Sequence, residues 1–144
     1  DMPLPALVAG WLREQVGADE IAVDLVPPDL SPADCREWGA RLYDTALLVL
    51  GDGSHRHGER AVGRPDPRAE AFDDAVADAL ARVDLEALGA LDPDLADELG
   101  AVGRAPWQVL AGAVAADGRP WRCVESNLMV PFGVAYHFAV WEPA

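Results

Sequence analysis

Ten consecutive residues, Gly51-Asp52-Gly53-Ser54-His55-Arg56-His57-Gly58-Glu59-Arg60, bring together two of the chain's three histidines, two carboxylates, a serine and three glycines. An imidazole changes charge near neutral pH and a carboxylate can steer it, so this is where proton transfer or ion binding would be sought. His55, His57 and Glu59 are the donor types of a two-His, one-carboxylate iron site. Donors at i, i+2 and i+4 share a face only on a regular strand, however, and Gly53, Gly58 and Gly63 favour irregular backbone. A cupin H-x-H motif would place its Glu further along, on an all-β barrel. A phosphate cradle at Gly51-Asp52-Gly53-Ser54 would need the P-loop lysine, and the chain contains no lysine. A dinucleotide fingerprint would need glycine where Arg56 stands. Ser54 lacks the G-x-S-x-G elbow of a nucleophile, and adjacent residues seldom orient one another as a triad does. No metal site is expected from these residues alone. Two readings stay open: a solvated loop with incidental histidines, or a small-molecule loop using Asp52, Gly53, Ser54, His57 and Glu59 with His55.

The flanking pattern says what must hold this loop. Leu4, Leu7, Val8, Trp11 and Leu12 recur at helical spacing, so a helix ending near Gly17 is expected, with an apolar stripe that needs a partner. Ile21 to Val26 reads as a short strand stopped by Pro27-Pro28. Ser31-Pro32-Ala33-Asp34 combines an N-cap, Pro at N1 and an acid at N3, and predicts a helix to about Tyr43. Thr45 to Leu50 is a nearly continuous apolar run of the kind buried in a parallel sheet, which completes a βαβ unit. Gly51 then falls at the C-terminal end of a strand, the edge where open α/β sheets bind ligands.

Phe72, Val76, Ala79, Leu80 and Val83 predict a helix with its acids on the opposite side. Shorter helices at Asp84 and Asp92-Pro93 follow, then one carrying Trp107, Val109, Leu110 and Val114 that ends at Asp117-Gly118. Trp121 to Ser126 and Phe132 to Trp141 are separated by too few residues for a crossover and should pair antiparallel. In the second of these His137 lies on the face with Gly133, Ala135, Ala139 and Trp141, where a structural role is favoured over a ligand role. Trp11, Trp38 and Trp107 fall on helix faces and predict core packing. The expected fold is α/β: a mixed sheet with a parallel βαβ start, a helical insertion and C-terminal antiparallel strands, with helices on both faces. Residues 1–144 read as a single domain that is part of a larger fold.

Twenty-five acidic residues against 11 basic ones give a net charge of -14, which argues against nucleic acid and anionic membranes as partners. Cys35 and Cys123 form no C-x-x-C pair and predict reduced thiols. Neither a stretch of about 20 apolar residues nor a signal-peptide pattern is present, and a cytoplasmic location is expected. The use of arginine without lysine, with abundant Ala, Gly, Pro and Asp, suggests a GC-rich bacterial genome.

Four ordered stretches carry a family resemblance: Ala46-Leu47-Leu48-Val49-Leu50-Gly51-Asp52-Gly53-Ser54, Asp66-Pro67-Arg68-Ala69-Glu70-Ala71-Phe72-Asp73, Gly103-Arg104-Ala105-Pro106-Trp107-Gln108-Val109-Leu110-Ala111-Gly112 and Pro131-Phe132-Gly133-Val134-Ala135-Tyr136. Together they resemble the C-terminal portion of actinobacterial class III extradiol ring-cleavage dioxygenase-like (LigB-like) proteins. The resemblance implies a helix-flanked mixed sheet and, in active members, a non-haem Fe(II) that binds a catecholate and O2. Two of its histidine ligands would lie upstream of Asp1, and the third ligand, at the start of the helix near Gly103-Arg104, has no Glu, His or Cys here. The resemblance also implies an acid/base histidine on an S-G-x-x-S-H loop. Gly51, Ser54 and His55 match that loop, while Leu50 replaces its first serine. The implied protein binds no iron alone and acts as a binding module or half of an assembled protein, with an N-terminal partner chain or a second copy and a small aromatic ligand as its expected partners. Fe(II) chemistry would require that partner.

Overall fold

A computed structural model describes residues 2–42 and 45–144. Helix α1 (Leu4–Val16) ends where Gly17 turns left-handed at φ 66°, as a helix C-terminus favours. Its stripe is covered only in part: Val8 and Leu12 are half-buried, but Leu4, Leu7 and Trp11 are 66, 53 and 58 % exposed, so Trp11 does not take the core position expected of it. Helix α2 (Pro32–Ala40) starts at Ser31, whose hydroxyl accepts from the Asp34 amide at 3.1 Å. It stops short of Tyr43, which with Asp44 lies outside the described residues. Then come α3 (Arg68–Arg82), α4 (Leu85–Gly89), α5 (Pro93–Leu99) and α6 (Arg104–Asp117), followed by strands β1 (Trp121–Met129) and β2 (Tyr136–Pro143). Asp84 and Asp92 cap α4 and α5 through the Ala87 and Asp94 amides, as the Asp-first pattern predicts.

β1 and β2 pair antiparallel, from Trp121 opposite Pro143 to Met129 opposite Tyr136. Among the described residues this two-stranded pair is the whole sheet. Neither expected parallel strand forms a ladder: 21–27 and 46–54 run free of turns and bends, yet belong to no sheet. The reason is local. A strand exists only through a neighbour, and β1 and β2 find each other across a short turn, whereas Ala46 to Gly51 makes no backbone hydrogen bond among the described residues. The parallel βαβ start and the mixed sheet with helices on both faces are therefore not seen among the described residues.

Among the described residues, two cores hold the elements together. Phe72, Val76, Leu80, Leu88, Leu99 and Trp107 join α3, α4, α5 and α6, with Val49, Ala139 and Trp141 packed against them. Cys35, Ala105 and Val109 join α2 to α6, with Val26, Leu30, Trp38 and Leu42 around them. The second contact is close because both helices present glycine. A Cβ on Gly39 would lie 2.0 Å from the Val109 carbonyl oxygen, and one on Gly112 would lie 2.5 Å from that of Arg36. Burial also separates the two free thiols. Cys35 has no exposed surface, and desolvation pushes its thiol pKa up despite the nearby Arg104 charge, which pulls it down. Cys123 is partly exposed. A thiol reagent at mildly alkaline pH is expected to modify Cys123 readily and Cys35 only after unfolding. Equal rates for both thiols in the native protein would contradict this packing.

Candidate acid/base site

The loop after residue 50 is held by interior groups. Gly51 and Gly103 cross at backbone contact, where a Cβ on Gly51 would sit 2.5 Å from the Gly103 Cα. The Gly103 amide donates to the Asp52 carbonyl at 2.8 Å, which docks the start of α6 on the loop. Gly53 donates to Ala135, Ala135 donates to Ser54 and His57 donates to Gly133, so the loop runs beside the entry to β2. Gly53 and Ser54 are buried. They were expected as ligand contacts, but their burial gives them the task of fixing the loop. A Cβ on Gly53 would lie 2.4 Å from an Asp73 carboxylate oxygen, and the Ser54 hydroxyl donates to the Leu99 carbonyl at 2.7 Å while accepting from the Arg56 amide.

At the centre lies Asp73, 0 % exposed. Its carboxylate accepts from His57 Nε2 at 2.6 Å, His137 Nε2 at 2.8 Å and the Ser54 amide at 3.1 Å. A buried carboxylate surrounded by donors in this way holds both imidazoles in fixed orientations. His137 is 2 % exposed and meets the edge of the Trp107 ring at a centroid distance of 5.3 Å. It is anchored as a structural histidine would be, although its Nδ1 has no hydrogen-bond partner among the described residues. Asp73 is the residue that sequence reasoning missed. The acids of α3 were assigned to the outer side, yet Asp73 falls in phase with Val76 and Leu80 at i+3 and i+7, and that phase was the available signal.

His55 points elsewhere. Its Nδ1 donates to the Val62 carbonyl at 2.8 Å, and the Val62 amide returns a bond to the His55 carbonyl at 3.0 Å. Donation from Nδ1 leaves Nε2 of the neutral ring as a proton acceptor. The ring lies on Gly100, where a Cβ would fall 1.9 Å from Nε2 and where φ is 68°. Asp52 and Glu59 are exposed. Glu59 lines a shallow cavity of about 460 Å³ with His57, Arg60 and Phe132, and Phe132 holds a left-handed φ of 55° that is costly without glycine. His55, His57 and Glu59 therefore do not converge on one point.

The donor set does not fit a non-haem iron. His57, Asp73 and His137 are of the right types, but they are hydrogen-bonded to one another. No three His, Cys, Asp or Glu side chains among the described residues are placed to hold a metal ion together. Likewise, no described helix is long and apolar enough to cross a membrane. In comparisons with known proteins, no family model matches this chain, and no curated protein matches it.

Proposed function

We propose that this chain is a class III extradiol dioxygenase-like domain that binds a small aromatic hydroxyl compound beside His55, as a binding module or as one half of an assembled protein. The carrying observation is the His55 imidazole, whose Nδ1 is committed to the Val62 carbonyl, so that Nε2, beside Gly100, is the ring atom left to accept a phenolic proton. Asp73, Ser54 and Gly53 support it by making the loop rigid, which places that acceptor reproducibly. The unpaired run Ala46 to Gly51 favours the assembled form, in which a second polypeptide would complete a mixed sheet. Iron-dependent ring opening would belong to that assembly, with donors from the partner chain.

The test is a titration with catechol followed by the NMR signals of the three imidazoles. Catechol is expected to shift the His55 ring signals, and His55→Ala is expected to abolish binding. That substitution should lower stability by only about 1 kcal/mol, the worth of one hydrogen bond on a half-buried loop residue. Gly100→Ala should weaken binding too, since the added methyl takes the place of the ring. Binding that survives His55→Ala would sink the reading. So would stoichiometric Fe(II) held by this chain alone.

A further inference from the structure

We infer that Ala46 to Leu50 is one wall of a strand-docking slot, filled by an extended, apolar, acid-poor segment of a different polypeptide. This deepens the assembly half of the proposed function by specifying the chemistry of the partner.

Three observations carry it. First, Ala46 to Gly51 has no turn, bend or backbone hydrogen bond among the described residues, while the next residues along, Gly53 and Ser54, already pair with Ala135. The chain thus starts a strand pairing and leaves its upstream half with donors and acceptors open. Such a row of groups is a template for another strand, because a neighbouring backbone satisfies it and a small molecule satisfies at most a few of its members. Second, a cavity of about 840 Å³ lies along this row. Its other walls come from Trp107, Leu110 and Val114 of α6 and from Ala139 and Trp141 of β2. These surfaces suit the alternate apolar side chains of an inserted strand. Leu47 and Leu48 stand 40 and 57 % exposed at its edge.

Third, charge selects the occupant. Asp52 lies on the cavity wall together with the Asp117–Arg119 ion pair and with Glu142, which pairs with Arg122, so the wall keeps a small excess of acid, and the whole chain carries -14. A second copy would bring the same excess of acid, so the favoured partner is a different, neutral or basic chain.

The experiment uses the full chain and a capped peptide of alternating Val and Thr with Lys at both ends, with hydrogen exchange read at residues 46–51. In the chain alone these amides are expected to exchange fast. The peptide should slow them by about tenfold or more, as amides do on entering a ladder. The same peptide with a central proline, which cannot donate to a ladder, should give no protection. Leu48→Lys keeps the backbone but adds bulk and charge at the rim, and serves as a second variant that should weaken peptide binding without unfolding the protein. The inference is overturned by protection in the dilute chain alone, or by protection that rises with protein concentration and a dimeric mass. It is equally overturned if the proline peptide protects as well, if 2-naphthol alone gives the same protection, or if the Val/Thr peptide gives none. The catechol titration at His55 reads a different site, so either result can fail while the other stands.

Discussion

Asp73→Ala is expected to destabilise the protein by about 3–5 kcal/mol, the range seen when one member of a buried charged cluster is removed and its partners stay behind. The argument rests on what is left. The Ser54 amide and the Nε2 groups of His57 and His137 all lose the same acceptor, and Asp73 and Ser54 have no exposed surface through which water could replace it. Each unsatisfied buried donor costs about 1–3 kcal/mol, and either imidazole can recover part of that by changing tautomer or rotating. Asp73→Asn keeps the shape and one acceptor oxygen but turns the other position into a donor facing a histidine. Its cost should therefore be smaller, about 1–3 kcal/mol. Urea denaturation checks both: the midpoint should fall while the slope stays unchanged, because the same surface is exposed on unfolding. A loss under about 1 kcal/mol for Asp73→Ala would mean that the carboxylate is solvated and the loop is held by something else.

The same network shows why part of this molecule could be read from its sequence and part could not. Caps and stops were legible because they are written in adjacent residues: Ser31 before Pro32, Asp92 before Pro93 and Gly118 after α6 each act within one turn. The antiparallel pairing of β1 with β2 was legible for the same reason, since a short connection leaves little choice. The two faces of β2 follow from simple alternation, but alternation does not say which turns inward: His137, Ala139 and Trp141 are more buried than the larger apolar set Tyr136, Phe138 and Val140. The polar loop announced itself by composition. Its interior support was legible only in the inward phase of Asp73 on α3; the partners were not, because Ser54 bonds Leu99 and Asp73 bonds His137, and such distant pairs leave no local trace. Thr45 to Leu50 had the composition of a buried strand. Composition states that a segment is fit to be buried, whereas a sheet needs a neighbour, and none of the described residues provides one for it.

Arg104 makes the second large prediction, and it concerns how the two cores are tied together. This guanidinium is 2 % exposed and donates to the carbonyls of Leu30 at 2.5 Å and Pro28 at 2.6 Å, and to the Gln108 side chain at 3.0 Å. Gln108, one turn further along α6, passes the connection on through its amide nitrogen to the carbonyls of Leu88, Gly89 and Leu91. One helix therefore clamps the segment before α2 on one side and the end of α4 on the other, through a fork whose planar geometry reaches two carbonyls at once. Arg104→Met should cost about 3–5 kcal/mol, since it strands those carbonyls in the interior. Arg104→Lys should recover part of that, since an ammonium can satisfy one carbonyl but cannot span both. Gln108→Leu should cost about 2 kcal/mol and should loosen residues 88–91 first, because those are the carbonyls it releases. Combined, the two substitutions should cost less than the sum of the single ones, with a coupling of about 0.5–3 kcal/mol, because each removes a partner of the other. Hydrogen exchange separates the two arms: Arg104→Met should accelerate residues 29–31 and Gln108→Leu residues 88–91. Strict additivity, with both variants loosening the same residues, would show that the two side chains act independently and that packing alone holds α2 and α4 on α6.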